Sequence, residues 1–228
     1  MALSAHSVNP ARPEFGQGDT TAGTGTAGVS KLGVTMRRLI VSNLISLDGY
    51  ASGHGGDVMA LPFDSTFSDY NLELMQAAET LVTGATTYRG FLSYWPAIAD
   101  DPAEREVDRA ISRRHWELEH LVVSDSLTAE ETGPWQAHTT IVRRDDARSV
   151  VAQAKEGEGG ALLVLGSMTV WNDLLAAGLV DELHMMVGAG VVMDGVPAFS
   201  TRPPGPMRLT GVRQLGDSNI SLLLYSLG

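Results

Sequence analysis

The stretch Leu162-Leu163-Val164-Leu165-Gly166-Ser167-Met168-Thr169-Val170-Trp171-Asn172-Asp173-Leu174-Leu175-Ala176-Ala177-Gly178-Leu179-Val180-Asp181-Glu182-Leu183 decides the fold. It reads as a buried strand, a Gly-Ser turn, a helix of about three turns, a glycine stop and the start of a further strand. Leu162 to Leu165 run apolar without alternation, the pattern of a strand covered on both faces. The turn at Gly166-Ser167 launches the helix straight off that strand. Free N–H groups at such a helix start point beyond the strand end and hold an anion without a charged side chain. A nucleotide cofactor is the first functional expectation, and an ordinary strand-to-helix turn is the plain alternative.

The same design occurs earlier, at Leu81-Val82-Thr83-Gly84-Ala85-Thr86-Thr87-Tyr88. Glycine closes the strand and hydroxyl-bearing residues open the helix. Two such turns, Gly84 to Thr87 and Leu165 to Thr169, would clasp one pyrophosphate if their strands are neighbours. Helix capping by Thr86, Thr87, Ser167 and Thr169 is the competing account. A third strand, His120 to Ser124, ends in Ser124-Asp125-Ser126, and ligands of open α/β sheets bind beyond the carboxyl ends of strands. Ser124 and Ser126 there suit a ribose or its phosphate. Asp125 opposes a phosphate, so Arg89 or the Arg143-Arg144 pair would have to compensate.

The remaining text alternates strands with helices. Strands are expected at Arg38 to Leu47, Thr80 to Thr83, Thr139 to Val142 and Glu182 to Val187. Helices are expected over Phe67 to Ala78, Thr86 to Tyr94, Pro102 to Trp116 and Asp145 to Ala154, the last capped by Asp145 or Asp146. Met207 to Leu215 and Asn219 to Tyr225 suit a hairpin turning at Gly216-Asp217-Ser218. The expected fold is α/β, a mostly parallel sheet with an antiparallel edge.

Residues 1–35 stand apart. They are rich in Gly, Ala, Thr, Ser and Pro, poor in large apolar side chains, and read as a disordered tail before a single domain over 36–228. The tail spells G-x-G-x-x-G from Gly23 to Gly28, but no strand precedes it and no amphipathic helix follows, so it is not read as a nucleotide site. The 228-residue chain is 43% hydrophobic and carries a net charge of −11, which disfavours nucleic acid and anionic membranes as partners. No stretch approaches the ~20 apolar residues of a membrane span. No signal peptide is evident, and there is no cysteine, so a cytoplasmic location is expected. The six histidines include no pair at the spacing of a helical zinc site, and no metal is expected; His54, in a loop with Gly53, Gly55 and Gly56, is the one of interest. Trp95, Trp116, Trp135 and Trp171 are read as packing residues.

From Arg37 onward the chain resembles the dihydrofolate reductase superfamily. The branch is that of the C-terminal reductase domain of bacterial riboflavin biosynthesis (RibD). The resemblance rests on Ser46-Leu47-Asp48-Gly49-Tyr50-Ala51, Thr83 to Phe91 with Tyr94-Trp95-Pro96, Val122 to Ser126, and Gly166-Ser167 through Ala176 to Leu183. It implies a three-layer dihydrofolate reductase-like fold, a homodimer, and NADPH as hydride donor to a heterocyclic or conjugated small molecule, with NADH the alternative cofactor. It places cofactor phosphates at Gly84, Ala85, Thr86, Thr87 and at Leu165, Gly166, Ser167, Met168, Thr169. The adenosine ribose falls at Ser124 and Ser126. Two departures matter: Ala85 stands where the family has an arginine for the 2′-phosphate, and Ser167 where many members have a second glycine. Arg89, one helical turn after Ala85, is the candidate replacement. The resemblance also puts the proton-supplying carboxylate on the helix after the mobile loop, at Asp64 or Asp69, with Asp57 behind them; Asp64 reads equally as a helix cap. Asp48 is read as a turn former. Met185 and Met186 lie where folate reducers carry a threonine, which argues for a larger or more apolar substrate. A flavin or deazaflavin binder on the same sheet, and a non-catalytic dimeric homologue, are the rival readings.

Overall fold

The computed structural model describes residues 36–228; the tail and its glycine motif lie outside the described residues. The strands of the central sheet are β1 (Leu39–Ile45), β3 (Ala78–Gly84), β4 (Glu119–Val123), β5 (Thr139–Val142), β6 (Ala161–Leu165), β7 (Glu182–Gly188), β9 (Met207–Gln214) and β10 (Ile220–Leu227). Their order is β5-β4-β3-β6-β1-β7-β10-β9. The first six are parallel, and β10 runs antiparallel to both β7 and β9. The expected mixed sheet with its terminal hairpin is therefore present. A second, two-stranded sheet pairs β2 (Tyr50–Gly53) with β8 (Gly195–Pro197). Four- and three-residue strands paired across some 140 positions leave no periodic signal.

Among the described residues, five α-helices flank the sheet: α1 (Ser65–Ala77), α2 (Ala85–Tyr94), α3 (Glu106–Glu117), α4 (Ala147–Glu156) and α5 (Met168–Ala176). Alternate side chains of the continuous apolar strands go to opposite layers. Leu39, Val41, Leu162, Val164 and Leu183 pack with Val151 of α4 and Trp171, Leu174 and Leu175 of α5. Ile40, Leu81, Leu163 and Leu165 pack with Met75 of α1 and Ile111 of α3. That two-sided burial is why these strands read as unbroken apolar runs.

Helix limits follow capping chemistry. Asp64 caps α1, its Oδ1 accepting the Thr66 N–H at 2.9 Å. α5 ends in a Schellman turn: Gly178 takes φ +70°, and the N–H groups of Leu179 and Gly178 donate to Leu174 and Leu175 O. Several expected boundaries move, those of α3 and α4 for a visible reason. α3 starts at Glu106 because Asp101 to Glu104 form a separate turn, Glu104 N–H donating to Asp101 O. α4 starts at Ala147 after a 3₁₀ turn at Arg144–Asp146, and Asp146 stands at its N-cap without a side-chain cap bond. Glu130–His138, interrupted by Gly133-Pro134, forms 3₁₀ turns rather than open loop and buries Trp135. Trp171 is also fully buried, whereas Trp116 is 39% exposed.

Candidate active site

β3 and β6 are adjacent in the sheet, so the two glycine turns stand side by side at its carboxyl edge. They touch directly: the Gly84 N–H donates to Ser167 Oγ at 3.0 Å. A Cβ added to Gly166 would lie 3.9 Å from Thr87 Cγ2, and one added to Gly84 would lie 3.3 Å from Val170 Cγ2. Gly166 (φ +61°) and Ser167 (φ 50°, ψ 54°) are both left-handed. This double twist turns the chain from strand into helix within two residues. Neither α2 nor α5 carries a side-chain N-cap bond, as is also true of α3 and α4 but not of α1. Helical bonding in α5 starts with the Val170 and Trp171 N–H groups donating to Ser167 O. The N–H groups ahead of them point outward from the helix start. Thr86, Thr87 and Thr169 thus flank uncapped helix starts rather than cap them.

The α5 turn is braced from behind. Met168 Sδ accepts from Asn43 Nδ2 at 3.1 Å and Trp171 Nε1 at 3.2 Å. Asn172, buried, donates to Met168 O and Ala198 O and accepts the Ser200 N–H. Sequence reasoning missed Asn43 and Asn172, because their partners are remote in the chain. Beside this turn a cleft of about 360 Å³ runs along α5 toward Val196, Pro197, Ser200 and Thr201.

The third turn is self-contained. Ser124 Oγ accepts the N–H groups of Ser126 and Leu127 at 3.1 and 2.9 Å, and Ser126 is exposed. Arg144 Nε and Arg143 Nη2 approach Asp125 at 3.5 and 3.9 Å, so this pair neutralises the aspartate. Arg89 instead pairs with Glu131, at 2.8 Å from Nη2. The Thr128 N–H and Arg89 together hold the Glu131 carboxyl below its usual range.

Asp64 and Asp69 are not brought together. Asp64 lines a 210 Å³ cleft with Pro62, Phe63, Ala189, Asn219 and Ile220, at the carboxyl end of β7. Asp69 is half exposed and lies 3.7 Å from Arg105. Asp57 caps a short 3₁₀ turn, accepting the Met59 N–H. Asp48 does more than form its turn. It accepts from Ser46 Oγ at 2.6 Å, Val192 N–H at 3.1 Å and Met193 N–H at 2.8 Å, which together hold its pKa at about 2. It thereby ties the β1–β2 turn to the β7–β8 loop, and its local Ser-x-Asp-Gly signature gives no hint of that span. His54 faces Asp194 at 3.1 Å, both exposed. No cluster of metal-ligating side chains occurs among the described residues, and no helix among them is long and apolar enough to cross a membrane.

A parallel-cored three-layer sheet with its glycine turns at one edge defines a dihydrofolate reductase-like domain. The chain belongs to the family described by the RibD C-terminal domain, whose model matches residues 37–220. Solved structures similar to it include a putative riboflavin biosynthesis protein from Shewanella sp. PV-4, at TM-score 0.60 and 19% identity over 84% of this chain and 99% of that one. Another is the diaminohydroxyphosphoribosylaminopyrimidine deaminase/5-amino-6-(5-phosphoribosylamino)uracil reductase of Thermotoga maritima. It aligns at TM-score 0.57 and 15% identity over 85% of this chain and 57% of that one. The dihydrofolate reductase of Enterococcus faecalis, complexed with NADP(H), aligns at TM-score 0.52 and 15% identity over 84% and 96%. At these identities the likeness bears on fold.

Proposed function

We propose that this chain is an NADPH-dependent reductase that delivers hydride to a heterocyclic or conjugated small molecule. The observation that carries the reading is the contact between two uncapped helix starts on neighbouring strands, joined by the Gly84 N–H to Ser167 Oγ bond. Such an arrangement aims several N–H donors and two helix dipoles at one point beyond the sheet. The cradle fits a pyrophosphate. Gly84 to Thr87 and Leu165 to Thr169 would hold it, with Ser124 and Ser126 beside the adenosine. Bound NADPH supplies a hydride; everything else is the work of the chain. Both turns fix the nucleotide, and the next strands in order, β1 and β7, form the floor on which an acceptor would lie.

We place proton supply at Asp64 rather than Asp69. Asp64 opens onto the cleft at the end of β7, whereas Asp69 is turned to Arg105. Binding of the 2′-phosphate falls to Arg89, which must exchange Glu131 for it, with Arg143 and Arg144 as the neighbouring cations. We also propose a homodimer. All eight residues of edge strand β9 lie outside the core, and Leu209 and Val212 are more than half exposed.

Titration of the protein with NADPH and NADH, followed by nicotinamide fluorescence, tests the central claim. Saturable binding of either that is abolished in a folded Gly166→Val variant supports it. Absence of binding of both at about 1 mM, an affinity of only about −4 kcal/mol, refutes it. Light scattering on the eluting peak decides the oligomeric state.

A further inference from the structure

Three loops build the carboxyl end of the sheet on the β1–β7–β10 side: residues 43–64, 184–201 and 215–220. They are physically one assembly. Leu47 N–H donates to Gly190 O, and Ala198 N–H to Gly49 O. Asp48 holds Val192 and Met193. Pro62 is wedged against Gly188 and Gly190, and Gly216 abuts Thr66. Pro62, Phe63, Asp64, Ala189, Asn219 and Ile220 enclose the 210 Å³ cleft between these loops.

The charge of this assembly is one-sided. Its three segments carry Asp48, Asp57, Asp64, Asp194 and Asp217 and contain no lysine or arginine. Arg213 on the neighbouring strand is engaged, 5.4 Å above the Tyr70 ring and 3.3 Å from Glu73. Arginines near the sheet edge stand on the other side, Arg89, Arg143 and Arg144, and these too are paired, with Glu131 and Asp125. The same loops expose large apolar groups. Leu47, Met59, Val191 and Met193 are each more than half exposed.

We infer that the acceptor is an uncharged ring compound that carries no phosphate. This rests on the reductase reading and deepens it. A phosphate ester entering here would meet Asp64 and find no lysine or arginine to pair with, a like-charge arrangement that costs affinity. An uncharged ring would lie against Pro62, Phe63, Ala189 and Ile220 of the cleft and reach the Asp64 carboxylate with a ring N–H. The Thermotoga relative, by its name, acts on a phosphoribosylamino compound; these loops offer no lysine or arginine to hold its phosphate.

The test uses matched pairs, riboflavin with riboflavin 5′-phosphate and uridine with uridine 5′-phosphate, titrated calorimetrically into full-length protein saturated with NADP⁺. The expected result is that the uncharged member of at least one pair binds and its phosphate ester binds about tenfold weaker or worse, about 1.4 kcal/mol. Asp194→Lys with Asp217→Lys should narrow that gap while NADP⁺ affinity holds. Equal or tighter binding of the phosphate esters overturns the inference, as does failure of all four compounds to bind at about 1 mM. If neither NADP⁺ nor NAD⁺ binds, the reductase reading falls, and the same pairs on nucleotide-free protein then decide only whether the cleft discriminates against a phosphate.

Discussion

Ser167 is asked to satisfy two opposed demands, and a pair of substitutions separates them. Its left-handed backbone, φ 50° and ψ 54°, costs an L-residue about 1–2 kcal/mol against a right-handed one. Its hydroxyl accepts the Gly84 N–H at 3.0 Å, a bond worth about 1 kcal/mol net. Ser167→Ala loses the bond and keeps the strain. It should lower stability by about 1 kcal/mol, which is about 2–4 °C in melting temperature for a chain of this size. Ser167→Gly loses the same bond but relieves the strain. Part of that relief is returned through the larger unfolded-state entropy of glycine. The glycine variant should therefore be about 0.5–1 kcal/mol more stable than the alanine variant. Urea unfolding followed by tryptophan fluorescence resolves the difference, provided both variants keep the wild-type m-value. Equal stability of the two variants would refute the left-handed turn. An alanine variant as stable as wild type would refute the bridge between the glycine turns.

Arg89→Ala should weaken NADPH about tenfold or more, as loss of a charge-assisted contact of about 1.5–3 kcal/mol implies, and leave NADH unchanged; equal effects on both would pass the 2′-phosphate to Arg143 and Arg144. Burial holds His115 well below its usual pKa and lowers that of His120, so both stay neutral in the fold while the unfolded chain protonates them near pH 6.5. Stability should be full above about pH 6.5 and fall as pH drops below it; melting temperatures across that range check this, and a flat profile would contradict it. Asp48→Asn should speed hydrogen exchange at Val192 and Met193, and its latch in the wild type should persist until pH falls through the range from about 4 toward the folded value of about 2. Deleting residues 1–35 should leave melting temperature and cofactor affinity nearly unchanged; a drop of more than about 5 °C would mean that those residues support the domain.

The two glycine turns are legible in sequence because each is local: a both-faces-buried strand, a glycine and a helix start within eight residues. Their contact is not local. Gly84 and Ser167 are 83 positions apart, and only the strand order β3-β6-β1-β7 makes them neighbours. Asp64 shows the same division. Its cap on Thr66 follows from adjacent residues, but the cleft it faces is built by Ala189 and Asn219. The partner of Arg89 is hidden for another reason. Gly133-Pro134 inside Glu130–His138 interrupts any helical periodicity. The 3₁₀ turns of that segment bury Trp135 against His115 and His120, stacked at 4.9 and 4.8 Å, and Glu131, four residues before Trp135, is set opposite Arg89. Strand order also sorts the charges. It puts Arg89, Arg143 and Arg144, with their partners Glu131 and Asp125, beyond β3, β4 and β5, and the loops without lysine or arginine beyond β1, β7 and β10. One sheet edge therefore offers helix starts and cations to an anionic nucleotide on one side of β1. On the other side it offers apolar groups and carboxylates to an uncharged acceptor.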